Sequence, residues 1–475
     1  MKFRKLISKF LSILFLCLFL LQGCQESPEE DIVVNKNEGI MENAIAQSEN
    51  AEKKENNIPE TYTDNFMTAS NDLEIIVDAD VTAVEEPLPV VRVRPHEITS
   101  DELKLWADVL FEGKTAYEPV VMLTKAEIEQ EILWRKQKIN DKDALIEEHY
   151  GNEAEADSLI EYYESQISGY EKDYETAPET YEKKESDWTF HPWSYYNTDA
   201  SHWEGSDEAA QLDKTVVFKA NVDNLNGHKA TIDAYNRTEE DYRMHSLWFY
   251  YLDEEAMGDI PYKELSQEEV IEIANKIRSE LGLTEWELWD VKESTTDNES
   301  AYRLTYSSIY EGVQTLLGST INLQSDDLYA ANFYYELLEI SVINGIVRNV
   351  ELTSPMEVVD VENSNVEVIS FEKAYDLFKN QLQSEYSKSV FMEGDIGENS
   401  ELKTLLENAE FKIKVTSIQQ GLFRVKVKDS SGEFMMIPAW AFAGTTYMDG
   451  EELTSGNLVV INAVDGSTIN TDLGY

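Results

Sequence analysis

Leu458-Val459-Val460-Ile461-Asn462-Ala463-Val464-Asp465-Gly466-Ser467 is the stretch that decides the fold. An apolar, β-branched run feeding an Asp-Gly pair predicts a strand entering a hairpin, because a type I′ turn needs positive φ at both central positions. Upstream of it, strands are expected near 411–418, 421–428 and 433–443. Before them, Ser370 opens a helix that carries Phe371, Ala374, Leu377, Phe378 and Leu382 on one face. The segment 358–475 therefore reads as one helix laid across an antiparallel sheet. The same series stands earlier, over 256–357. Ser266 begins a helix (Val270, Ile273, Ala274, Ile277, Leu281), strands follow near 286–293 and 300–309, and a hairpin is expected across Asn344-Gly345.

Upstream, 89–255 reads as a helical hairpin with short strands, which makes the whole chain α+β. Pro89–Arg94 is a short strand, and Thr99 or Ser100 caps a helix with Leu103, Trp106, Ala107 and Leu110 on one face. Ile128, Ile132, Ile139 and Ile146, then Leu159, Tyr163, Ile167, Tyr170 and Tyr174, recur at helical steps. Gly151-Asn152 can end the first helix in the left-handed conformation, and Pro178 closes the hairpin over 124–176. The tyrosine stripe is read as a packing seam. Strand-like segments follow at 214–222, 228–236 and 244–252.

The chain opens with Lys2, Arg4, Lys5 and Lys9, then an apolar run from Phe10 to Leu21, then Leu21-Gln22-Gly23-Cys24. This is the layout of a lipoprotein signal over 1–23, too short to span a bilayer. Cys24 is the expected lipidation site, and two acyl chains on it give stable membrane anchoring. Residues 24–88 are acidic and poor in large apolar side chains apart from Leu73–Val77, so they read as a flexible tether. The expected location is the extracytoplasmic face of a cell membrane, of the Gram-positive type. A formal net charge of −54 repels nucleic acid and anionic lipid heads, which leaves the covalent lipid as the membrane link. With 42% hydrophobic and 11% aromatic residues the rest is nevertheless a folding chain. The two cysteines are Cys17, inside the signal, and Cys24, so no disulfide or thiolate metal site is expected. Asp78-Ala79-Asp80 and Asp326-Asp327 lack the other ligands of a calcium loop and are read as solvated charges.

No hydrolase signature is present: neither Gly-x-Ser-x-Gly nor His-Glu-x-x-His occurs. Ser370-Phe371-Glu372-Lys373 matches Ser-x-x-Lys, but a Ser opening an amphipathic helix is an N-cap. His191 and His202 are too far apart in sequence for a recognisable zinc pair, so no metal or cofactor is expected. The best candidate for a binding surface is the aromatic segment 188–203, with Trp188, His191, Trp193, Tyr196 and Trp203. Such rings stack on sugars, and the competing reading is that they plug the fold.

The two helix-and-sheet units resemble PepSY-like extracytoplasmic modules. Met436-Ile437-Pro438-Ala439-Trp440 followed by Leu458–Ser467 is similar to the end of YycH/YycI-type regulators of a cell-wall sensor kinase. Val93-Arg94-Pro95-His96-Glu97, the Trp/Leu-rich first helix and the charged hairpin also resemble a set of uncharacterised Gram-positive surface lipoproteins. The resemblance implies a non-catalytic protein that binds or modulates another surface protein or a peptide. Cell-wall glycan binding through 188–203 is the alternative, and a wall-active hydrolase needs a carboxylate pair that sequence alone does not single out. The regulators it resembles are held by a transmembrane helix, a departure from the lipid anchor expected here. The oligomeric state is left open by the sequence.

Overall fold

The computed structural model describes residues 58–85, 87–119, 123–148, 153–180, 182–196, 215–237, 245–252, 261–294, 299–317, 335–386, 409–427, 432–471 and 474. The signal 1–23, Cys24, the Gly151-Asn152 turn, Asp326-Asp327, His202 and Trp203 lie outside these residues. The described chain is mixed α+β, mostly strands, and none of its helices is long and apolar enough to cross a membrane.

Three strands come first: β1 (Thr61–Met67), β2 (Glu74–Thr82) and β3 (Val90–Pro95). Helices α1 (Ser100–Leu110) and α2 (Lys125–Asn140) each start with a reciprocal box, Thr99 with Glu102 and Thr124 with Glu127, which satisfies otherwise orphaned N–H groups. Next are α3 (Lys142–Glu148) and α4 (Glu153–Thr176), then β4 (His191–Pro192), β5 (Thr215–Leu225), β6 (His228–Arg237) and β7 (Ser246–Tyr251). Helix α5 (Gln267–Glu280) is capped by Ser266 with Glu269. It precedes β8 (Trp286–Glu293), β9 (Ala301–Tyr310), β10 (Val313–Gln314), β11 (Leu337–Ile343), β12 (Ile346–Thr353) and β13 (Met356–Asn363). Helix α6 (Phe371–Glu385) is capped by Ser370, whose Oγ accepts the Lys373 N–H at 3.3 Å. Strands β14 (Phe411–Lys426), β15 (Phe434–Met448), β16 (Glu451–Asn462) and β17 (Thr468–Ile469) end the fold.

The chain divides into two compact units. The first comprises Met1–Glu97, Glu240–Ser246 and Tyr262–Tyr475; the second comprises Ile98–Glu239 and Leu247–Pro261. The expected division at 89, 256 and 358 is thus redrawn. Strand β3, placed by sequence at the head of an N-terminal domain, pairs with β13 and β15 in the first unit, and 262–357 and 358–475 share that unit.

In the first unit one sheet runs β1-β2-β14-β15-β16-β17, with β3 joined to β15 and β13 to β3. The expected tether 24–88 is corrected over 61–82 by β1 and β2, while 24–57 lie outside the described residues. Leu73, Ile75, Val77 and Ala79 alternate with exposed Asp78 and Asp80 and are buried in a core with Phe371, Phe378, Leu382, Ile413, Val415, Trp440 and Phe442. The acidic average of the segment hides a period-2 strand pattern. Asp64 on β1 accepts hydrogen bonds from Tyr375 Oη at 2.8 Å and Lys379 Nζ at 2.7 Å, which fasten β1 to α6. Phe378 stacks on Phe442 with ring centroids 4.2 Å apart. The sheet is mixed rather than antiparallel, because β2 runs parallel to β14.

Two strands expected at 411–418 and 421–428 are one strand, β14. Gly421 does not break it but permits close approach, since a Cβ there would lie 2.7 Å from the Gln314 carbonyl oxygen. The Asn344-Gly345 hairpin has positive φ at both residues, 50° and 86°. At Asp465-Gly466 only Gly466 is positive, so a type I′ turn does not form. A wider turn results, in which the Asn462 N–H donates to Ser467 O at 2.8 Å.

Also in the first unit, β9 pairs with β8, β10 and β11, and β12 flanks β11; α5 packs Val270 and Ala274 inward. A buried carboxylate, Glu336, is hydrogen-bonded to Ser308 and stands 3.6 Å from Arg424 Nη1, with both side chains under 5% exposed. Burial raises the pKa of Glu336 against the opposing charge of Arg424. His96, in the Val93–Glu97 motif, donates its backbone N–H to Pro355 O at 2.8 Å, and Arg94 pairs with Glu357. The motif joins β3 to β13.

The second unit carries β4-β5-β6-β7 in that order. Helix α1 buries Leu103, Trp106, Ala107 and Leu110. Asn236 on β6 clamps the chain ahead of α1: its Oδ1 accepts the Ile98 N–H at 2.9 Å and its Nδ2 donates to Ile98 O at 2.8 Å. Among its described residues the 124–176 region holds three helices, because the first stops at Asn140 and α3 restarts at Lys142. Helices α2 and α4 pack through a polar seam: buried Arg135 donates to Gln166 Oε1 at 2.7 Å and lies 4.7 Å from the Tyr170 ring centre. Tyr174 donates to Glu129 at 2.7 Å. The tyrosine stripe therefore serves packing.

Candidate functional site around the aromatic segment

The aromatic segment is held to β5 by backbone pairing. His191 and Pro192 pair with Val217 and Val216 of β5, and a single 3-10 turn over Trp193–Tyr195 follows. Residues 116–118 run between this segment and β5. The Tyr117 N–H donates to Asn221 O at 2.8 Å, the Glu118 N–H to Lys184 O at 2.8 Å, and the Ser186 N–H to Ala116 O at 3.0 Å. These bonds bring Glu118 beside 184–191.

The candidate aromatics divide into two groups. Trp188 stacks on Phe218 with centroids 5.7 Å apart, and Phe190 meets the same ring at 6.1 Å. Both are half-buried. Trp188 sits at φ 62°, a conformation disfavoured for a bulky side chain, while Ser100 Oγ donates to its carbonyl at 2.8 Å. The second group faces outward. Tyr195 is 40% exposed, and His191 stacks on it at 4.0 Å with planes 13° apart. Tyr196 meets the edges of both rings, its Oη accepts the Lys219 N–H at 3.4 Å, and burial pushes its pKa up to about 12. Trp193 is half-buried on the same turn.

Charged groups collect at this face. Lys184 Nζ lies 2.6 Å from Glu118 Oε1 and 3.9 Å from Asp187 Oδ2. The other oxygen of each carboxylate is held separately. Tyr195 Oη donates to Glu118 Oε2 at 3.4 Å, and the Thr189 N–H donates to Asp187 Oδ1 at 3.1 Å. Burial opposes ionisation of Asp187, but the hydrogen bonds from Thr189 and the charge of Lys184 outweigh it and hold the carboxyl below its usual range. Glu118, Asp187 and His191 each bring a ligand atom within 4.8 Å of the others. Glu118 and Asp187 were not picked out by sequence reasoning. The only local cue is the four-residue step from Asp187 to His191, and Glu118 arrives from a distant segment through the 116–118 pairing.

A second polar cluster in the same unit has a structural role. Buried Asp233 accepts hydrogen bonds from Lys219 Nζ at 2.7 Å, Thr231 Oγ1 at 2.8 Å and Tyr250 Oη at 3.2 Å, so its lone pairs are occupied within the sheet.

No protein-family model matches the chain, and no curated protein does. Among solved structures, an uncharacterised protein from Eubacterium rectale is similar over 92% of this chain and 99% of its own, at 11% identity and a TM-score of 0.42. The Bacillus megaterium YpeB C-terminal domain is similar over 57% of this chain and 90% of its own, at 12% identity and a TM-score of 0.23.

Proposed function

We propose that the chain is a lipid-anchored extracytoplasmic protein that binds and modulates another surface protein or peptide. The lipobox at Leu21–Cys24 supports the location. The observation that carries the binding role is β13. Among the described residues it pairs only with β3, which leaves its other side an open edge there, and Val358 and Val359 on it are 51% and 41% exposed. An open edge takes an added strand by main-chain hydrogen bonds, with the exposed side chains supplying selectivity. In this reading α5 with β8–β12 and α6 with β14–β17 are two related PepSY/YycI-like modules, each opened by a Ser cap. The paired helices of the second unit offer a further contact surface.

Two measurements test the reading. Labelling cells with an alkynyl fatty acid should mark the protein and leave Cys24→Ala unmarked; equal labelling removes the anchor. A photo-crosslinker at position 359 should yield a discrete adduct that a crosslinker at exposed position 105 does not, and identical adduct patterns remove the edge-binding role.

Glycan binding at the aromatic face is the second reading, supported by the outward Tyr195 stacked on His191. Titration with wall fragments should then be weakened by Tyr195→Ala and left unchanged by Trp188→Phe, since Trp188 stacks inward on Phe218.

A further inference from the structure

We propose that Glu118, Asp187 and His191 form a binding site for one divalent transition-metal cation, with Zn²⁺ the best match to the donor set. The inference stands apart from the proposed binding role, because it uses different residues in the other compact unit. One imidazole nitrogen and two carboxylate oxygens are borderline-hard donors of the kind zinc takes. Three protein ligands leave a fourth position for water or an incoming group.

The placement of the carboxylate oxygens carries the argument. Each carboxylate has one oxygen tied to the protein, Glu118 Oε2 by Tyr195 and Asp187 Oδ1 by Thr189. The remaining oxygens, Glu118 Oε1 and Asp187 Oδ2, both turn to a single cation, the Lys184 ammonium, at 2.6 and 3.9 Å. A ligand set whose outer atoms are hydrogen-bonded and whose inner atoms converge on one point is the arrangement that second-shell contacts give a metal site. His191 is fixed by its pairing with Val217 and its stack on Tyr195, and the Glu118 side chain is only 10% exposed. Lys184, by contrast, is 60% exposed, so its flexible stem can swing into solvent and surrender the position. Donors around a zinc ion at ~2.1 Å stand ~3.4 Å apart. The present 4.8 Å envelope thus closes by about 1.4 Å when Zn²⁺ takes the place of the ammonium.

The acidic chain binds divalent ions diffusely, so the test must separate one site from that background. The full chain is titrated with Zn²⁺ alone by calorimetry and with Co²⁺ by visible absorption. One tight equivalent is expected above the diffuse phase, with a nitrogen-ligated Co²⁺ spectrum. His191→Asn, which removes the imidazole ligand and keeps a polar side chain, should weaken that equivalent at least tenfold. Lys184→Met should tighten it about tenfold, because no ammonium has to be displaced. The two variants are expected to shift affinity in opposite directions, and Lys184 is too exposed for its loss to unfold the unit. A tight equivalent that survives His191→Asn, no tight equivalent at all, or unchanged affinity in Lys184→Met each overturns the proposal.

Discussion

Replacing Ile75 by Ala tests whether the segment ahead of β3 is part of the fold. Ile75 is fully buried on β2, in a core shared with Ile413, Val415 and Trp440. The substitution removes three carbons, about 2.4 kcal/mol of transfer free energy at ~0.8 kcal/mol each. The cavity left between two strands and α6 adds to this, for a total of about 3 kcal/mol, inside the usual range of about 2–5 kcal/mol for Ile→Ala in cores. The neighbouring Ile76 points to the other face of β2 and is half-exposed, so Ile76→Ala should cost less than about 1 kcal/mol. Urea unfolding of the full chain, followed by intrinsic fluorescence, measures both. A shift of less than about 0.5 kcal/mol for Ile75→Ala, or equal costs for the two variants, refutes the burial argument and restores the tether.

Two other outcomes follow from the polar groups of the first unit. Glu336→Gln takes the countercharge from a guanidinium that is 3% exposed, and should destabilise by about 3–5 kcal/mol; joint replacement of Glu336 and Arg424 by Leu and Met should recover most of that loss, and equal losses in both variants refute the pairing. Asp64 provides the pH dependence. Burial acts to raise its pKa, yet the hydrogen bonds from Lys379 and Tyr375 outweigh it and keep the carboxyl below its usual range. Its stabilising contribution is therefore present above the unfolded carboxylate value near 4 and lost as pH falls below it. Stability measured from pH 6 to pH 2 should fall more steeply in the wild type than in Asp64→Asn, and parallel curves would contradict the assignment.

The readable parts of the sequence were those governed by local rules. Ser266 and Ser370 cap helices because a hydroxyl ahead of an amphipathic run has a backbone N–H to accept. Asn344-Gly345 turns because both residues tolerate positive φ. Asp449-Gly450 uses the same signal, with φ of 52° and 85°, to join β15 to β16, and it was missed because the strand before it was ended too early. What local rules do not reach is pairing between distant segments. Leu73–Val77 has the composition of an isolated apolar patch until β14 is placed beside it. Glu118 becomes a neighbour of His191 only through the bonds from 116–118 to Lys184, Ser186 and Asn221. Gly421 looks like a strand break unless Gln314 is known to lie against it.

The parallel pairing of β2 with β14 bears on how the protein is made. Synthesis runs from the N-terminus, so Glu74–Thr82 emerges well before its partner Phe411–Lys426, which follows only after β3 to β13. Until then the β1-β2 ribbon has only itself to pair with, and a lone two-stranded ribbon is marginal in water. Closure of the sheet is thus a late, high-contact-order event, slow by topology and exposed to mispairing meanwhile. The acidic residues that alternate with the apolar ones on β2, Glu74, Asp78 and Asp80, then have a second use: they discourage association of the waiting ribbon with its own copies.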